Sequence, residues 1–189
     1  MMTQPVQRVR TILGLLLLFV PGAVAHELQD NRATLVLRDK THVSVTLFIA
    51  YTEVLHLSLA PKRPLQEFLL LYSAMNPEDL QKELIHAQAG FQSGTRLYLS
   101  NGGEMPLTNW MWPDAKQVQA LLRQRVMQAL VDPNSHEAPV EIHADANAQQ
   151  QIVSLRVQFP EEFQKVLVVA FRPSQVWVER KTLSPEIEF

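Results

Sequence analysis

Thr34–Tyr51, TLVLRDKTHVSVTLFIAY, decides the fold. Leu35 and Leu37 alternate with other residues before Arg38-Asp39-Lys40-Thr41, and Val43, Val45, Leu47 and Ile49 alternate after it. A period of two puts successive side chains on opposite faces, as a half-buried strand requires. Thr, Val, Ile and Phe in the second run suit a pleated surface. The stretch is expected to form the first hairpin of a sheet against which later helices and strands pack.

Upstream, residues 1–25 have the layout of a secretory signal peptide. Arg8 and Arg10 supply the charged start, Thr11–Val20 (TILGLLLLFV) the apolar run, and Ala23-Val24-Ala25 the small-residue cleavage site. The run falls well short of the ~20 apolar residues a membrane-spanning helix needs. Cleavage after Ala25 leaves 164 of the 189 residues, expected to form a single α+β periplasmic domain, 26–189. The chain has no Cys, so packing alone must hold the exported protein. Of 17 Lys+Arg and 19 Asp+Glu, Arg8 and Arg10 leave with the leader, giving a formal −4. The charges are scattered, which excludes the clustered basic face that nucleic acid demands. With no second long apolar run, the exported chain is expected to be soluble.

Downstream the period changes. Thr52–His56 reads as a short helical turn capped by Thr52. Pro64 opens a helix whose face is Leu65, Phe68, Leu69 and Tyr72. Asn76-Pro77-Glu78-Asp79 starts another, with Leu80, Leu84, Ala87 and Phe91 buried and Gly90 and Gly94 ending it. Thr95–Ser100 is strand-like, Asn101-Gly102-Gly103 a turn, and Leu107–Trp112 extended. Pro113-Asp114 opens the longest helix, to about Val131. Its expected stripe is Val118, Leu121, Leu122, Val126, Ala129 and Leu130, with Gln119, Arg123 and Gln124 solvated. Val140–Ala144 and Val153–Phe159 alternate, joined by polar Asp145–Gln151. Val166–Phe171 (VLVVAF) is apolar on both faces, which predicts a central strand. Arg172-Pro173-Ser174 then turns the chain into Gln175–Glu179 (QVWVE). The order implies an α+β fold, with a mostly antiparallel sheet and three or so helices packed on one face.

Three groups are candidates for function. His26 becomes the mature N-terminus, where its amine and imidazole together suit copper. Glu141, His143 and Asp145 project from one face of a strand, and His136 precedes them; together they offer nitrogen and oxygen ligands to Cu or Zn. A charged edge-strand face accounts for the same residues without metal and is the favoured reading; His42 and His56 read as surface or core-edge residues and His86 as part of a helix's polar flank. Trp110 and Trp112 would share one side of an extended segment, and Trp177 lies on an expected edge strand; all three are candidate partner-surface anchors. For Trp110 and Trp112 the favoured reading is that one or both close the core beneath the long helix. No nucleophilic Cys, G-x-S-x-G, H-E-x-x-H or glycine-rich phosphate loop is present, so a non-enzymatic role is expected.

The stretch His26–Leu47, HELQDNRATLVLRDKTHVSVTL, resembles the opening of the extracytoplasmic module that precedes the membrane part of HupE/UreJ-type metal-transport proteins. Those modules begin with His-Glu after a signal peptide and continue with Leu-x-Leu strands. This chain departs from the pattern in carrying no transmembrane run after its leader, so transport does not carry over. The resemblance implies an envelope module working beside a membrane protein, with nickel, cobalt or copper as the associated metals. The function expected is a periplasmic binding or accessory module for an envelope or inner-membrane protein, the alternative being a metal-binding protein built on His26; an enzyme acting on envelope material ranks behind both.

Overall fold

The computed structural model describes residues 31–132, 135, 137–173, 178, 180 and 183. The leader, His26, His136 and Trp177 therefore lie outside the described residues.

The opening hairpin forms as its alternation requires. β1 (Asn31–Leu37) and β2 (His42–Ile49) pair antiparallel with Leu35 opposite Val45 and Thr34 opposite Thr46. The turn is closed by Asp39, whose carboxylate accepts from the Thr41 and His42 backbone N–H groups at 2.7 and 2.8 Å. Those two bonds hold the Asp39 pKa below its ordinary value. Val43, Val45, Leu47 and Ile49 point inward and are buried.

Four helices follow the sequence pattern with instructive differences. α1 spans Tyr51–Leu59, longer than the short turn expected, and Thr52 lies inside it rather than capping it; the N-cap is Ala50. α2 (Leu65–Ser73) starts after Pro64 and buries Phe68, Leu69 and Tyr72. α3 (Pro77–Gly94) is capped by the Asn76 side chain and buries Leu80, Leu84, Ala87 and Phe91, the stripe its spacing predicts. Gly90 does not end this helix but sits within it. Gly94 does end it, and a Cβ there would stand 2.7 Å from Pro160 Cβ, so only glycine fits the approach.

β3 (Arg96–Leu99), β4 (Glu104–Met105) and β7 (Leu155–Gln158) make a small sheet in the order β4-β3-β7. β5 (Leu107–Met111), β6 (Val140–Asn147) and β8 (Val166–Phe171) join the hairpin in the larger one, ordered β5-β6-β2-β1-β8. The six strand pairings among the described residues are thus divided between two sheets rather than one, four in the larger and two in the smaller, and β7 stands in a different sheet from β6 and β8. β6 also runs through Asn147, so Asp145 belongs to the strand and not to a connection.

β8 is the main departure. Among the described residues it occupies an edge, not the centre, and it runs parallel to β1 with Ala33 opposite Val168 and Leu35 opposite Ala170. The chain reaches it through β7 of the other sheet and a single 3₁₀ turn at Glu161–Phe163. Asn31 fixes that arrival: its amide donates to Phe163 O at 2.8 Å, and its oxygen accepts from Ala50 N at 2.9 Å.

α4 (Ala115–Val131) begins with a capping box between Asp114 and Gln117. It buries Ala115, Val118, Gln119, Leu122 and Arg125. Leu130 is exposed, and Gln119 turns inward to donate to Met75 O at 2.8 Å. The helix is thus rotated from its expected stripe, because backbone carbonyls after α2 need donors and α4 supplies them: Arg123 likewise donates to Ser73 O at 3.3 Å. One cluster of buried side chains joins both sheets and all four helices, from Ala33 and Leu47 to Leu97, Met105 and Phe163. No helix among the described residues is long and apolar enough to cross a membrane.

Candidate partner-binding edge

The face of the larger sheet opposite the buried side chains is polar at its centre. Register places Ser44 opposite Asp145, Thr46 opposite His143 and Phe48 opposite Glu141. Asp145 gathers donors from two neighbouring strands: His42 Nε2 at 3.0 Å, Ser44 Oγ at 3.3 Å, and the Asn109 side chain. The His42 bond leads in holding its pKa below the usual carboxylate value. His143 lies 3.2 Å from Glu141 and 3.3 Å from Thr46 Oγ1.

Glu141, His143 and Asp145 do share a face, as their spacing predicts. Asp145, however, is engaged by His42 rather than turned toward His143. Among the described residues no three His, Asp or Glu side chains gather into a set that could hold a metal ion. Nor do Ser44, Asp145 and His42 form a nucleophile relay, since the carboxylate sits between the hydroxyl and the imidazole instead of behind the imidazole. What this network does is tie β2, β5 and β6 together. His42 is a part-buried residue at the core edge, as one of its two readings has it, but only the cross-strand register reveals its partner.

Glu137, in the connection leading into β6, goes elsewhere. Its carboxylate accepts from Thr52 N at 3.1 Å and from Thr52 Oγ1 at 2.5 Å, at the first turn of α1. Burial pushes its pKa up to about 7, against the pull of the Thr52 bonds. Nearby Arg125, buried in α4, donates to Ser135 Oγ at 3.1 Å and lies 3.9 Å from Glu53.

The tryptophans owe their placement to a bulge. Thr108 pairs with Asp145 and Met111 with His143, so β5 spends one more residue than β6 between the same two rungs. Asn109 absorbs the extra residue at φ 55°, a conformation Asn tolerates better than most. Regular alternation would point Trp110 outward and Met111 inward. The bulge reverses this: Trp110 and Trp112 pack against the core, and Met111 emerges with 60% of its surface exposed. The two indoles stack at 5.3 Å and 14°. Trp112 also meets Tyr51 at 6.2 Å and Phe91 at 6.0 Å, so it closes the core as well as bordering the surface.

Beside this edge runs a groove of about 530 Å³, between Ala120 and Leu121 of α4 and the ends of β5 and β6 (Met111, Trp112, Val140), with Glu141 at its rim. On another flank of α4, Leu70 and Leu130 line a smaller, mainly apolar recess with Leu69, Val126 and Ala129, and Met127 and Val131 are exposed as well. Sequence reasoning found the tryptophans but missed Met111, Ala120 and Leu121, because no pattern within one segment signals a bulge. Compared with protein family models, curated proteins and solved structures, the chain matches none.

Proposed function

We propose that this chain is a non-enzymatic periplasmic binding module, exported by its 1–25 leader, that engages an envelope protein partner at the β5 edge. The observation carrying this reading is the groove where the bulge turns Met111 out beside Trp112. A mainly apolar groove with aromatic backing, edged by Gln117, Gln124 and the Glu141–His143 pair, suits an apolar anchor side chain with a Lys or Arg beside it, the cation sharing Glu141 with His143. Strand addition is disfavoured at this edge, since the bulge breaks the ladder that an incoming strand would need. Side chains rather than backbone would make the contact.

The test is photo-crosslinking in intact cells from a reactive residue at Ala120, which faces the groove. One envelope protein should be recovered reproducibly, and lost with Met111→Asp or Leu121→Asp. Trp112→Ala is a poor probe, because it would also open the core. No crosslinked protein from Ala120, or one indifferent to both Asp variants, would remove the reading.

A further inference from the structure

β8 closes the core incompletely. Val168 and Ala170 point to the same side of the sheet as Ala33 and Leu35, their partners on β1, yet both are exposed where those partners are buried. The opening is a cleft of about 390 Å³ between β8 and the connection from β6 to β7. Its deep end is lined by buried Leu35, Val43 and Ile152, its mouth by half-exposed Phe171 and by Arg172. The wall that carries Ile152 is tied to the turn of the first hairpin: Ala148 N donates to Thr41 O at 2.8 Å and Ile152 N to Lys40 O at 2.7 Å. The cleft is thus formed before anything enters it, is mainly apolar, and has the size of a small-molecule site.

The charge at the mouth says what an occupant must carry. Arg172 follows directly after β8 and is the only ionisable residue lining the cleft among those described. Its guanidinium makes no ion pair or hydrogen bond among the described residues. Gln151 and Ser154, both exposed, add neutral hydrogen-bonding groups and no carboxylate. We infer that the cleft binds a single-chain amphiphile with a carboxylate head, its chain against Leu35, Val43 and Ile152 and its head on Arg172. Guanidinium and carboxylate match as a two-pronged pair. Taking the chain out of water supplies most of the affinity. The exposed ion pair supplies selectivity rather than strength. The cleft lies at the opposite edge of the sheet from the β5 groove, so it stands apart from the partner reading.

The experiment is titration of the exported chain with dodecanoate, followed by amide and methyl NMR shifts. Saturable binding should appear below about 1 mM, with shifts centred on Val43, Ile152 and Leu155 and none at Met111. Dodecyltrimethylammonium has the same chain and the opposite charge, and should bind about fivefold or more weakly. Arg172→Gln should weaken dodecanoate about three- to tenfold and leave the cationic chain unaffected. Arg172→Glu should invert the preference between the two. Arg172 is exposed, so neither variant disturbs the core. The inference is overturned by shifts centred elsewhere, by equal binding of the two chains, or by a preference that survives Arg172→Glu. The absence of saturable binding below about 1 mM would overturn it as well.

Discussion

The two outer strands of the larger sheet, β5 and β8, meet the same physical demand by different means. β5 is short, takes a bulge at Asn109, and is laced to β6 and β2 through Asp145. Its irregularity makes it unfit to recruit another strand while presenting Met111 and a groove. β8 is straight, apolar and free of charge. One edge is defended by its geometry; the other, among the described residues, is not. The difference teaches that a sheet edge can serve as a binding surface once its backbone ladder is spoiled, whereas an unspoiled apolar edge keeps a ladder on which another strand can pair.

The comparison can be broken by substitution, and the largest effect belongs to the β5 side. Trp112→Ala removes an indole packed on Tyr51 and Phe91 and should cost about 2–4 kcal/mol of stability, read by denaturant unfolding. If the loss is negligible, Trp112 is a surface residue and the groove is not anchored to the core. Placing lysine on each edge sharpens the contrast. Val169→Lys should destabilise by about 1–3 kcal/mol, whereas Thr108→Lys, on the defended edge near Asp145, should stay within about 0.5 kcal/mol. Equal effects would mean that the two edges are protected alike.

Acidity should act through two groups, the buried Glu137 at the first turn of α1 and Asp145 on the β5 side. Glu137 has its folded-state pKa raised from 4.5 to about 7, so the folded state holds its proton more tightly. Its contribution is fully present below 4.5, declines as pH rises to 7, and is constant above. Glu137→Gln should flatten that slope, on the order of 1–3 kcal/mol, in unfolding measured from pH 4 to about 8. Asp145 works in the opposite sense: its pKa is lowered, so its contribution is present above the ordinary value of 3.8 and is lost as pH falls through the folded value. Removing this tie should cost little: Asp145→Ala is expected to lose about 0.5–1.5 kcal/mol, with faster amide exchange in β5 and none of it in β8. Spread of that change to β8 would show that the edges are not independent.

Much of this was legible from residue order, and what was not has identifiable causes. The first hairpin and α3 could be read because their signals are local: a period of two around an Asp turn, and a cap followed by proline and a stripe at helical spacing. The rotation of α4 was not legible. Gln119 looks solvated until the carbonyl of Met75 is placed beneath it, whereas Arg123 stays exposed, as its position predicts, while donating to Ser73 O. Of the proposed site, the tryptophan pair was visible and its surroundings were not. The bulge that exposes Met111 depends on β6 standing alongside, and Asp145 finds His42 only through pairing of strands far apart in the chain.

Residue order by itself determined which segments become strands and helices, because periodicity and capping are settled within a few residues. It also determined that no sulfur crosslink can hold the chain, since there is no cysteine to make one. Tertiary structure alone decided the strand neighbours, the parallel placement of β8 at an edge, and the side of β5 on which Met111 stands. The reason is physical: a strand's composition says how much apolar surface it must hide, while which partner hides it depends on contacts between distant segments.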